Sequence, residues 1–336
     1  MILLDSVYIN DGGGLVLLKH LVDVLIKQNK DVYYLFDERT YNVFNDLDIR
    51  KSFISNNISA RKKFYKEYSK KISSVLCFGN VPPPIKLNVP TLVYFHQPLF
   101  LKIPNDFSLR NKLIYKIKQI VLRYFKDNAN LWIVQSKLIQ EEFAKKYCNG
   151  SKSLVRIIPF YPSLEFTGLS VERCKNTFLY VSNTAPHKNH ENLIAAFCNA
   201  YDQTKKGSLV ITVPSTNTNL CQLINYKIKK GYPIKNVGFV DRQNLIKLYL
   251  SSEYLIFPSL AESFGLGLAE AIDGGCKVIA ADLPYTYQVC NPSLTFNPYS
   301  TDSIESAIIK SVTQELPESN KIITNDINQL ILLLSE

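Results

Sequence analysis

Short runs of aliphatic, β-branched and aromatic residues recur along the first half of the chain, at 2–8, 32–36, 74–78, 91–95, 131–134 and 155–158. Between them, 15–26 and 109–125 carry apolar residues at helical spacing. Near-continuous apolar strands alternating with helices predict a parallel sheet covered on both faces. Residues 161–176 then break the pattern, with Pro162, Gly168 and Ser170 and no clear period, and predict a linker. A second alternation follows, with strands at 177–181, 208–212, 236–240, 254–257, 277–280 and 294–296 and helices at 189–201, 220–230, 242–250, 265–273 and 302–313. The pattern predicts two α/β domains, 1–160 and 177–336, with the last helix expected to pack back on the first. Ligands of open α/β sheets bind at the carboxyl ends of the strands, so the expected site is a cleft between the two domains.

Composition narrows the class. With 336 residues and 46% hydrophobic content, the chain has enough apolar area for two cores, which excludes a disordered or disulfide-held protein. Seven scattered cysteines form no C-x-x-C pair, the four histidines show no zinc spacing, and no acidic triplet closes a strand, so reduced thiols and no metal are expected. The opening MILLDSVYIN reads as a strand rather than a signal peptide, and Lys19, His20 and Asp23 interrupt the longest apolar run. A cytoplasmic protein, soluble or peripheral on the inner membrane face, is the expectation. Charge is uneven: residues 51–150 hold 18 basic and 5 acidic side chains, a local +13, within a chain of net +10. Something anionic is expected to meet that stretch, whether membrane, phosphorylated substrate or nucleic acid, although no nucleic-acid recognition motif accompanies it.

The most informative chemistry lies after the strand at 254–257. A loop carries Glu262, and Gly265 opens a helix whose exposed N–H groups suit an anion. Glu270 follows about a turn and a half later, within reach of a ribose whose pyrophosphate sits at the helix start. Read alone, either glutamate is equally a solvated charge favoured by the helix dipole.

The segment resembles the donor-binding signature of retaining glycosyltransferases of family four, Pro-Ser-x-x-Glu-x-Phe-Gly-Leu-x-x-x-Glu-Ala, at Pro258, Ser259, Glu262, Phe264, Gly265, Leu266, Glu270 and Ala271. Further similarity runs through 178–197, through Val237-Gly-Phe-Val with 245–249, and through 275–282, covering nearly all of the second half and more loosely the first. The resemblance implies the GT-B fold, two Rossmann-like domains facing each other across a cleft. It also implies a nucleotide-diphosphate sugar donor, UDP- or GDP-linked, with no cofactor. It places Glu262 by the donor sugar, Glu270 on the ribose and Lys188 on the diphosphate, with Ser263, Phe264, Gly265 and Leu266 around them. Where the family commonly has an arginine five residues before the lysine, this chain has Asn183. Lys188 then works with backbone amides at 263–265, or Arg242 substitutes as a diphosphate contact.

In the first half, Asp11-Gly12-Gly13-Gly14 lies between strand and helix without completing a G-x-G-x-x-G fingerprint. The resemblance makes Gly13 and Gly14 part of a loop that contacts donor phosphate or acceptor. His96 ends the strand 91–95; as a lone histidine it reads as a structural hydrogen-bonder, and the resemblance makes it a catalytic residue facing the transferred sugar. Ser136 reads as the N-cap of a helix at 137–146. On the helical pattern at 109–126, Lys112, Lys116, Arg123 and Lys126 are read as one face opposite Leu109, Leu113, Ile117, Ile120 and Tyr124. That pattern suits a solvated face over a core face, or contact with a membrane or acceptor surface, the latter supported by the companion run Arg61-Lys-Lys-Phe-Tyr-Lys-Glu-Tyr-Ser-Lys-Lys. The resulting expectation is a hexose-transferring enzyme of cell-surface polysaccharide synthesis, acting on a glycan or lipid-linked acceptor without nucleic acid. Rivals are a nucleotide-sugar epimerase or hydrolase on the same fold and a basic nucleotide- or RNA-binding protein.

Overall fold

The computed structural model describes residues 1–103, 109–166, 168, 171–262 and 264–335. The chain folds as two compact units, Met1–Pro162 with Thr324–Glu336, and Ser163–Ile323.

The first unit is built on seven parallel strands: β1 (Ile2–Asp5), β2 (Val32–Asp37), β3 (Lys51–Ile54), β4 (Ser74–Cys77), β5 (Thr91–Phe95), β6 (Leu131–Val134) and β7 (Val155–Ile157). Their order is β3-β2-β1-β4-β5-β6-β7, which reverses direction at β1. Leu3, Val75, Val93 and Val134, one from each of four central strands, are buried together with Tyr65 and Phe143 from the flanking helices. Helices cover the faces because every central strand is apolar on both sides. Ser136 does cap the helix Lys137–Tyr147, accepting from Ile139 N. The last helix, Ile327–Ser335, belongs to this unit: Ser74 Oγ donates to Leu334 O at 2.9 Å, and Asp326 N to Pro159 O at 2.8 Å.

The second unit repeats the plan with β8 (Cys174–Tyr180), β9 (Ser208–Ile211), β10 (Ile234–Asn236), β11 (Ser252–Phe257), β12 (Lys277–Ala281) and β14 (Leu294–Phe296), in the order β10-β9-β8-β11-β12-β14 and all parallel. A two-residue pair, β13 (Cys290–Asn291) with β15 (Asn320–Lys321), runs antiparallel beside it. The order reverses at β8, next to β11, so the loops after these two strands flank a topological switch point.

Three expectations need correction. Residues 174–176 are strand rather than linker; Cys174 pairs with Ser252 of β11 beside an irregularity in register, where Asn176 has φ 56° and its N–H donates to Glu253 Oε2. The strand expected at 236–240 ends at Asn236, whose Oδ1 accepts from the N–H groups of Val213 and Gly238 and turns the chain away, leaving Phe239 exposed. On the helix Leu109–Phe125 the stripe expected to face the core does not; Tyr115, Val121, Leu122 and Phe125 pack there instead. Leu109, Leu113, Ile117, Ile120 and Tyr124 are exposed, and Leu122 is the buried residue. At about 100° per residue, Lys112, Lys116 and Arg123 then lie beside that stripe rather than opposite it.

Candidate functional site

In the second unit the loops after β8 and β11 are locked together by side chains that the sequence places 74 residues apart. Lys188 Nζ donates to Glu262 Oε1 at 2.5 Å, and both side chains are largely buried. Around them the main chain is stitched: Leu260 N donates to His187 O at 2.7 Å, Tyr180 Oη to Lys188 O at 2.7 Å, and Tyr285 Oη to Ser259 O at 2.7 Å. Asn189 adopts a left-handed conformation (φ 61°) that asparagine tolerates, and its Nδ2 donates to Pro258 O at 3.2 Å and Pro298 O at 2.8 Å. His190, next along, is buried against Tyr180. Burial, with the nearby Lys188 charge, lowers its pKa to about 4, and its Nε2 has no hydrogen-bond partner among the described residues.

Gly265 stands at φ 71°, where a side chain would be strained, and caps the helix Leu266–Asp273. Phe264 beneath it is buried, Leu266 is half-buried, and Ser263 lies outside the described residues. Glu270, one turn on, is buried. Its Oε2 accepts from Tyr249 Oη at 3.2 Å; its Oε1 lies 3.4 Å from Arg242 Nη1 and makes no hydrogen bond among the described residues. Burial raises its pKa to about 7 against the opposing pull of Arg242 and Tyr249. A carboxylate held in this way has an unused acceptor and gains by meeting hydroxyl donors. Arg242, the first residue of the helix Arg242–Ser251, is thus Glu270's ion-pair partner in this structure. Asn183 is exposed, with Oδ1 accepting from Ala185 N in a tight turn. Sequence reasoning missed Tyr249, Asn189 and Tyr285; the stretch 245–249 was noted only for its similarity.

In the first unit the structure brings Gly14 and His96 together. A Cβ on Gly14 would lie 3.0 Å from His96 Cε1, whereas Gly12 and Gly13 face open space. His96 N donates to Asn80 Oδ1 at 2.7 Å, and its Nε2 is 3.1 Å from Phe78 O. Asn80 Nδ2, a donor, lies 3.4 Å from the same nitrogen, but the nearer Phe78 carbonyl only accepts, which assigns the proton to Nε2 and the lone pair to Nδ1. Burial lowers the His96 pKa to about 4, with the Phe78 hydrogen bond opposing. The ring is therefore neutral at physiological pH and offers an acceptor, not a charge. Behind it, Asp5, at the end of β1, is fully buried against Arg61: Nη2 is 2.6 Å from Asp5 Oδ2, Tyr65 Oη 2.7 Å from the same oxygen, and Arg61 also donates to Val81 O and Pro82 O. Arg61, read as the start of a basic surface run, is thus a core residue that fixes the loop after β4.

Among the described residues, no group of three or more His, Cys, Asp or Glu side chains is placed to hold a metal ion, and no helix is long and apolar enough to cross a membrane. All seven cysteines are free.

Residues 169–329 match the family described as glycosyl transferases group 1. The O-antigen chain mannosyltransferase RfbU of Salmonella typhimurium is 28% identical over 251 residues, which is 73% of this chain and 66% of that protein. The O-antigen chain mannosyltransferase B of Escherichia coli is 26% identical over 141 residues, 41% of this chain. The matched stretch spans 37% of that second relative's length, so neither relative is matched over its whole chain. Among solved structures, a sucrose-phosphate synthase from Thermosynechococcus elongatus superposes with a TM-score of 0.67 at 19% identity, covering 91% of this chain and 88% of its own.

Proposed function

We propose, because residues 169–329 match the glycosyl transferases group 1 family and the two α/β units follow the GT-B plan, that this protein transfers a sugar from a nucleotide-diphosphate sugar to a hydroxyl of a glycan or lipid-linked acceptor. The observation that carries this reading is Glu270: a buried carboxylate on a glycine-opened helix at the switch point of a parallel sheet, with one oxygen left to accept hydroxyl donors. The ribose of the donor supplies those donors. Lys188 gives up Glu262 for the donor diphosphate, with the N–H groups around Gly265 assisting. Glu262 is freed beside the transferred sugar.

In the transfer, the bond from the anomeric carbon to the β-phosphate oxygen breaks as the acceptor oxygen bonds to the same carbon. The leaving phosphate takes the negative charge and receives the acceptor proton. Stabilising that charge by preorganised cations and amides is the main contribution required of the site. Retention of configuration is part of the proposal and rests on the family signature alone. The names of the curated relatives support mannose as the first hexose to test and a surface polysaccharide as the product. Neutral His96, with its free Nδ1, suits acceptance of a sugar hydroxyl proton in a hydrogen bond better than storage of positive charge.

The test is a panel of UDP- and GDP-hexoses assayed by thermal unfolding, followed by turnover with and without a glycan acceptor. One donor is expected to stabilise the fold, since it binds only the native state, and release of its nucleoside diphosphate is expected to require the acceptor. Donor consumption without acceptor would point to a hydrolase or epimerase instead, and stabilisation by no donor would refute the reading.

A further inference from the structure

The helix Leu109–Phe125 of the first unit carries five cations, Arg110, Lys112, Lys116, Lys118 and Arg123, and no acidic residue. Along it, Leu109, Leu113, Ile117, Ile120 and Tyr124 form one stripe, and these five side chains are 52–86% exposed. Isolated exposed apolar residues are ordinary, but five aligned on one helix are not, because each leaves a large apolar surface in water. The stripe is about 23 Å long at the usual rise per residue. On a helical projection its residues fall within an arc of about 80°, with Lys112, Lys116 and Arg123 along one border and Arg110 along the other. Leu122 and the half-buried Tyr115 and Gln119 anchor the opposite side to the unit, Gln119 Nε2 reaching Leu99 O at 3.4 Å.

We propose that this helix is a membrane-docking element that lies in the plane of an anionic lipid surface, its apolar stripe among the acyl chains and its flanking cations among the headgroups. The charge pattern selects this occupant. A basic border around an apolar stripe is what an in-plane helix presents to anionic lipid. A second copy of the same face would instead bring like charges together, since residues 51–150 carry 18 basic against 5 acidic side chains. With cations spread along its length, the helix does not meet the requirement for spanning, and none among the described residues does. The inference stands apart from the proposed activity, because none of these residues belongs to the nucleotide site.

The full-length protein is sedimented with vesicles of phosphatidylcholine and with vesicles of an equal mixture of phosphatidylcholine and phosphatidylglycerol. The parent is expected to bind the mixed vesicles, and added salt to weaken that binding. The triple variant Leu113→Ser, Ile117→Ser, Ile120→Ser should lose about tenfold or more in partitioning, with its unfolding temperature retained because these side chains are in water already. The variant Lys112→Gln, Lys116→Gln, Arg123→Gln should lose preference for the anionic vesicles while keeping any weak apolar binding. Depth is read from Ile117→Trp: its emission should shift to the blue and be quenched by lipids brominated on the acyl chain. Equal vesicle binding by parent and triple variant, or an Ile117→Trp signal unmoved by lipid, would overturn the proposal. So would a parent that ignores vesicles but dimerises in solution through the stripe, as sedimentation velocity would reveal.

Discussion

Replacing Glu270 with glutamine should make the protein more stable and a poorer nucleotide binder at the same time. In the folded chain, burial raises this carboxyl's pKa from its ordinary value of 4.5 to about 7. A raised carboxyl contributes its full share of stability below the unfolded pKa, and that share is lost as pH rises through the folded one; the loss accumulates between about pH 4.5 and pH 7. At about 1.4 kcal/mol per unit, the buried charge costs roughly 3 kcal/mol above pH 8 and under about 1 kcal/mol near pH 5. Glutamine keeps the acceptor for Tyr249 Oη and cannot ionise. Glu270→Gln should therefore raise the unfolding temperature by about 6–12 °C at roughly pH 8.5 and change it little near pH 5, taking about 2–4 °C per kcal/mol for a unit of this size. The same substitution should weaken nucleoside binding by roughly tenfold to a hundredfold, the worth of a hydrogen bond to a charged group. Scanning fluorimetry at both pH values and calorimetric titration with nucleosides measure the two effects. No gain at high pH, or an undiminished affinity, would refute the assignment of Glu270 as a buried, strained, ligand-seeking carboxylate.

The remaining sites give sharper contrasts. Lys188→Ala should lower affinity for a nucleoside diphosphate much more than for the bare nucleoside, and Asn183→Arg should strengthen diphosphate binding; an unchanged diphosphate preference in Lys188→Ala would shift that role to Arg242 or to backbone amides. Gly14→Ala, whose methyl would press on His96 Cε1, should reduce turnover with little loss of stability, read as kcat against unfolding temperature. Because His96 titrates near 4, the turnover profile should show no limb from this histidine between about pH 5.5 and 8, and a limb in that range that disappears in His96→Asn would contradict the neutral assignment. Arg61→Met leaves Asp5 as an unpaired buried charge and should cost about 3–5 kcal/mol, whereas Asp5→Asn with Arg61→Met together should recover part of it by urea denaturation.

Where strands are apolar throughout, the sequence placed them to the residue: β5 at 91–95 and β6 at 131–134 need no information from elsewhere in the chain. It missed β3, Lys51–Ile54, an edge strand with half-buried side chains and little apolar run to detect. Polar side chains that act at a distance were invisible for the same reason. Nothing in Arg61-Lys-Lys marks the arginine as a core residue, since its partner Asp5 is 56 residues away. The glutamates of the site were legible through their spacing on a glycine-opened helix, but the Tyr249 hydrogen bond, the Arg242 ion pair and the Lys188–Glu262 pair arise only when β8 and β11 become neighbours. The helix at 109–125 shows the converse limit: periodicity found its apolar stripe, yet periodicity cannot say whether such a stripe faces protein or water.

The central claim, that the second unit grips a nucleotide-diphosphate sugar through Glu270, is tested most directly by calorimetric titration of UDP- and GDP-hexoses in buffers of different ionisation enthalpy. Near pH 6.5 a carboxyl with a pKa of about 7 is largely protonated, and accepting ribose hydroxyls favours its ionised form. A nucleotide sugar has no group of its own titrating there, so the account predicts saturable binding of one donor with release of a fraction of a proton. Both the release and most of the affinity should vanish in Glu270→Gln. Binding with no proton release, or binding and release that survive in the variant, would contradict it.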